Sequence, residues 1–192
     1  MEPEEKNISH LESLHVIADA ISRTKDNFRE NSFYFLLWGW LITAASVAFF
    51  ILQQYTTVHI FFVPFPIAAA TGGIVTIVRY LKHRSVAPTE SYITYFLSRL
   101  WMVLGLNFVA VVFINVSQNQ QPFTYTLILA GIGTFVSGLV MKFRPMTVGG
   151  IVCLISAMVI VYVPQDYRVL LHGAAVVSGY LVPGYLLKAS NK

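Results

Sequence analysis

The chain has 192 residues, of which 56% are hydrophobic and only 11% charged. Globular domains average about 25% charged residues, so a water-soluble fold of this length is excluded: it could not dress its surface. The formal charge of +4 does not by itself point to nucleic acid, because basic residues also mark cytoplasmic loops.

The amino-terminal sequence MEPEEKNISHLES is acidic and polar, unlike a cleaved signal peptide. Residues 1–8 read as a disordered tail. Ser9-His10-Leu11-Glu12 then has the form of a capping box. Leu11, Leu14, Ala18, Ile21 and Phe28 recur on one helical face, with Glu12, Asp19, Arg23, Asp26 and Arg29 elsewhere. This predicts an amphipathic helix from Ser9 to Glu30 within a tail spanning 1–32. Such a helix could lie on the inner membrane surface, although its mixed charge fits that role poorly. It could instead dock a partner protein, or a second copy, through Leu11, Leu14, Ile21 and Phe28.

Residues 33–188 read as six membrane spans, each long enough to cross about 30 Å of hydrocarbon. They are 33–53, 60–81, 95–116, 123–141, 146–163 and 168–187. The first is also its own uncleaved insertion signal, with Trp38 and Trp40 as interface markers. Pro64 and Pro66 fall at the entry of the second span, where missing backbone donors are tolerable. Gly72 and Gly73 in that span, Gly131 and Gly138 in the fourth, and Gly179 in the sixth are expected helix-packing positions. Lone Cys153 sits in an apolar run, which excludes an internal disulfide.

Orientation follows from the cations. Lys6, Arg23, Lys25, Arg29, Arg79, Lys82, Arg84, Arg99, Lys142, Arg144, Lys188 and Lys192 fall on one face, against Arg168 alone on the other. That places both termini in the cytoplasm and accounts for the basic charge without nucleic acid.

None of the six spans contains Asp or Glu, which argues against proton-coupled transport. Asn107, deep in the third span, is the leading intramembrane polar candidate, as an interhelical hydrogen bond or a substrate contact. His59, Asp166 and His172 are predicted at the outer face, where they would form a weak zinc or pH-sensing cluster or simply be solvated. His10, His15 and His83 show no ligand spacing. No H-E-x-x-H, G-x-S-x-G or phosphate-loop motif occurs, so neither enzyme chemistry nor a cofactor is expected.

Several motifs resemble those of a family of small, uncharacterised bacterial six-span integral membrane proteins. They are Glu12-Ser13-Leu14 with Ile17, Phe35-Leu36-Leu37-Trp38-Gly39-Trp40, Ser137-Gly138 with Lys142-Phe143-Arg144-Pro145 and Gly149-Gly150, and Gly179 to Lys188. The resemblance implies six spans in a bacterial cytoplasmic membrane and carries no activity. The expected fold is therefore an all-α polytopic membrane protein preceded by a cytoplasmic amphipathic helix. The expected function is a partner-binding, regulatory or membrane-sensing protein. A small permease or channel for a neutral solute, working as a dimer, is the alternative.

Overall fold

The computed structural model describes residues 10–56, 61–84 and 92–190; of residues 10–31, 83 and 84 it describes the backbone alone. Among these residues the chain is helical and has no strand. Helix α1 runs from His10 to Tyr55, α2 from Pro64 to Arg84, α3 from Tyr92 to Ser117 and α4 from Phe123 to Val140. Helix α5 covers Arg144–Val159. The last crossing is composite: α6 (Arg168–Val176), a π-helical segment (Val177–Leu181) and α7 (Val182–Ala189). By length and composition, six helical segments can cross a membrane.

Two boundaries differ from the sequence reading. A tail helix and a first span were expected to be separate, but α1 is one helix of 46 residues. Its junction at Asn31-Ser32 holds neither Gly nor Pro, so nothing interrupts the backbone ladder there. The second crossing starts at Pro64 rather than residue 60. Pro64 and Pro66 lack amide protons, and within the first turn those donors would have no intrahelical partner.

Of the consecutive crossings, α1 packs against α2, α3 against α4, α4 against α5 and α5 against α6, and the sixth is the hub. More than half of its apolar window is buried (56%), against 50% for the fourth and 11% for the second and third. It packs against α1, α4 and α5, while α2 leans on α1 and α3 on α4. Small residues set these distances. A Cβ added at Gly131 would stand 2.8 Å from Leu154, and one at Gly150 would strike the backbone of Phe135. One at Gly138 would meet the backbone of Thr147. Helices α4 and α5 therefore touch almost backbone to backbone, as small residues allow in lipid. Gly72 seats Trp38 at 3.0 Å and Gly179 seats Cys153. Gly73 is different: nothing lies within 4 Å of its would-be Cβ, so the expected packing role fails there. Adjacent helical residues lie about 100° apart, and Gly72 takes the direction of α1.

The break in the sixth crossing has a local cause. Pro183 cannot donate to the carbonyl of Gly179, four residues back. The ladder widens into the π-helical turn Val177–Leu181 just before it. The Gly179 carbonyl lies 2.8 Å from a Cβ added at Gly149. A side chain at 149 would therefore push α5 away from the widened turn.

Turns at opposite ends of the bundle share one device. Asn119 (φ 56°) and Lys142 (φ 52°) are left-handed. After α3, the amide of Gln120 donates to the carbonyl of Asn115 at 2.8 Å and that of Asn119 to Val116 at 3.0 Å. After α4, Phe143 donates to Gly138 at 2.9 Å and Lys142 to Leu139 at 3.1 Å. Both are Schellman closures, which satisfy carbonyls at a helix end.

Candidate functional site

The structure brings together polar groups that the sequence left apart. His172 lies one turn into α6 and is buried, 5% exposed, rather than solvated at a face as expected. Its neighbour explains why. A Cβ at Gly173 would meet Ser46 Cβ at 3.0 Å, so α6 lies against α1 at this level and carries the imidazole inward.

Three helices contribute to the His172 site. Ser46 Oγ of α1 is 3.4 Å from Nδ1, and Thr126 Oγ1 of α4 is 3.3 Å from Nε2. Thr126 also donates to the carbonyl of Phe123 at 3.0 Å. A hydroxyl has one proton, so Thr126 can only accept from the ring. That assigns the proton of a neutral imidazole to Nε2 and makes Nδ1 the acceptor of the Ser46 hydroxyl. The bonds then run one way, from Ser46 to His172 to Thr126 to the Phe123 carbonyl.

Aromatic rings enclose this chain. The imidazole centroid is 5.2 Å from Phe123 and 6.0 Å from Phe65. Phe49 sits 5.2 Å from Phe61 and 5.6 Å from Phe123. These rings join α1, α2, α4 and α6 at the end of the bundle away from the termini. A second cluster joins α1, α3 and the π-helical turn nearer the other end: Phe35 is 5.7 Å from Trp101 and 5.3 Å from Tyr180. There the indole of Trp101 donates to Ser137 at 3.2 Å, and Ser137 to the Gly133 carbonyl at 2.6 Å.

The other expected site residues do not converge. Asn107 is exposed on the outward side of α3, and its amide donates to the Val103 carbonyl of its own helix at 2.8 Å. Among the described residues it makes no interhelical bond: a carboxamide that can satisfy itself one turn back needs no partner helix. Asp166 is exposed and accepts from Gln53 at 3.0 Å, apart from the His172 network. His59 lies outside the described residues, and so do the side chains of Leu11, Leu14, Ile21 and Phe28. Among the described residues, no three His, Cys, Asp or Glu side chains group to hold a metal.

Sequence reasoning missed Ser46, Thr126, Phe65 and Phe123. A usable signal existed in His172-Gly173, an ionisable residue within an apolar run beside one that permits close helix approach. Chemically, the arrangement is a lock between helices. The second ring nitrogen faces a hydroxyl rather than a carboxylate, and Ser46 is enclosed, so the pair is not disposed for attack on a substrate. Comparison with protein families, curated proteins and solved structures finds no match for this chain.

Proposed function

We propose that this is a non-enzymatic multi-pass protein of a bacterial cytoplasmic membrane, both termini inside, which binds a cytosolic partner and relays that binding to its membrane bundle. One observation carries the reading: α1 is unbroken over 46 residues, of which Ser32–Tyr55 form the 24-residue crossing. The remaining stretch, 46 − 24 = 22 residues, extends the same helix by about 33 Å at 1.5 Å per residue. Leu11, Leu14, Ile21 and Phe28 form the proposed docking stripe on that stretch.

Inside the membrane the same helix is fastened along its length. Gly39 seats Leu181, Ser46 meets His172, and Gln53 meets Asp166. Trp38 donates to Thr76 of α2 at 3.2 Å, and the Arg79 guanidinium lies 3.9 Å from the Phe33 ring centroid. A partner that tilts or turns the amino-terminal stretch would act on these contacts. The sorting of cations toward the terminal face supports the orientation, and the motif resemblance supports the bacterial membrane.

Affinity purification from native membranes tests this reading, comparing full-length protein with a variant lacking residues 1–30. A partner held only by the full-length chain is the expected result; an unchanged set of partners counts against it.

A permease is the second reading, favoured by the interrupted sixth crossing, since broken helices are common at transport sites. The close α4–α5 contact and the ring-filled end around His172 weigh against a path through this copy. Solute flux in proteoliposomes, absent from empty ones, would favour it.

A further inference from the structure

At the end of the bundle away from the termini, Asn119, Gln120, Gln121, Gln165 and Arg168 line an open polar cavity of about 330 Å³. We infer that this cavity binds the headgroup of an anionic phospholipid, a phosphodiester carrying a neutral, hydroxyl-bearing group.

Both walls are held by backbone. The Schellman closure after α3 fixes Asn119 and Gln120, and Pro122 follows at the entry of α4. Gln165 belongs to a short 3-10 turn opened by Pro164, with Tyr167 donating back to the Pro164 carbonyl at 3.0 Å. Arg168 is pinned by its own segment: Nε donates to Val163 at 3.0 Å and Nη2 to Val161 at 3.3 Å. Its other terminal nitrogen, Nη1, has no protein acceptor among the described residues. Among the described residues the one acid nearby, Asp166, is engaged by Gln53 instead.

The cavity thus offers a positioned cation with spare donors among four carboxamides. Guanidinium groups suit phosphate oxygens geometrically and electrostatically. Carboxamides supply both donors and acceptors, as a hydroxylated headgroup requires. A choline headgroup would bring a second cation and no donor.

Depth decides between lipid and solute. Tyr55, Tyr125, Tyr162 and Tyr167 are exposed at this same end of the crossings. Such amphipathic rings settle at headgroup level, which puts the cavity in the phosphate layer. Ligand cavities run from about 300 to 1,000 Å³. This one is at the small end, the size for a headgroup.

The test is native mass spectrometry of the full-length protein with phosphatidylglycerol, phosphatidylcholine or soluble glycerol phosphate. Expected is retention of phosphatidylglycerol about tenfold better than phosphatidylcholine, reduced to parity in Arg168→Gln and partly kept in Arg168→Lys. Because Arg168 also binds two carbonyls, the double variant Gln120→Leu, Gln165→Leu provides an independent arm. It keeps the cation and should lose about threefold of the preference. Equal retention of both lipids by the unaltered protein overturns the inference, as does undiminished preference in Arg168→Gln or in the double variant. Binding of glycerol phosphate without lipid selectivity overturns the lipid assignment.

Discussion

Ser46 Oγ and His172 Nδ1 lie 3.4 Å apart, and this contact joins the first crossing to the sixth across 126 positions of sequence. With Thr126 on the other ring nitrogen, the imidazole has a hydroxyl partner on each side. The geometry is long for a strong hydrogen bond. Its value lies in leaving no buried polar atom of the trio unpaired.

Removing the ring should therefore cost more than removing one hydroxyl. Ser46→Ala should destabilise by about 0.6 kcal/mol, the average for interhelical bonds in membranes. His172→Ala takes the acceptor from the Ser46 hydroxyl and opens space between Phe65 and Phe123, while Thr126 keeps its bond to the Phe123 carbonyl; it should cost about 2–4 kcal/mol. Thermal unfolding of both variants and their double mutant in one detergent would check this. The double mutant should be less destabilised than the sum of the single changes.

The widened turn gives a sharper case. A methyl at Gly179 has no place because Cys153 Sγ occupies it. Gly179→Ala should destabilise by about 1–3 kcal/mol, and Cys153→Ala in the same chain should restore part of that. The Gly149 carbonyl, 3.1 Å from the added methyl, keeps the rescue incomplete. Gly73→Ala, with open space around it, should instead stabilise by up to about 1 kcal/mol through helix propensity.

These cases separate what composition could reveal from what it could not. Crossing a bilayer demands length and apolarity, and both are written along the chain, so six crossings are legible. Facing is not. A helix that is hydrophobic all round carries no polar side to mark its outer surface. Asn107 and His172 show the consequence. The residue deeper in its run faces outward, and the one nearer its end is buried where its neighbour Gly173 lets α1 approach, among Ser46 and Thr126 of two other helices. The glycines were legible as a class, yet Gly72 and Gly73 part company because only one of two neighbours can face α1. The candidate site rested on pairings more than 40 residues apart, which no local spacing encodes.

Asn107→Leu follows from that correction. The side chain bonds only within its own helix and points away from the bundle. Its loss should leave stability within about 0.5 kcal/mol, the range of substitutions away from packed features, and leave any partner binding unchanged. A loss of several kcal/mol in the same unfolding assay would return Asn107 to the interior.

Lys142 holds a left-handed backbone conformation that glycine adopts without penalty. Lys142→Gly should raise stability by about 1 kcal/mol, while Asn119→Gly, where asparagine already tolerates that region, should change it less. Parallel melting curves of the two variants would show the difference.

The account depends most on α1 being one rigid rod from cytosol to bundle. Electron spin resonance distance measurement tests it, with labels on Asp19→Cys and Val47→Cys in a Cys153→Ala background, reconstituted in lipid. Those positions are 28 residues apart, so a continuous helix places their backbones about 42 Å apart. A single narrow distribution near that value is expected. A broad distribution, or a main population far shorter, would mean that the helix bends or frays at the membrane boundary, and the proposed relay would have no lever.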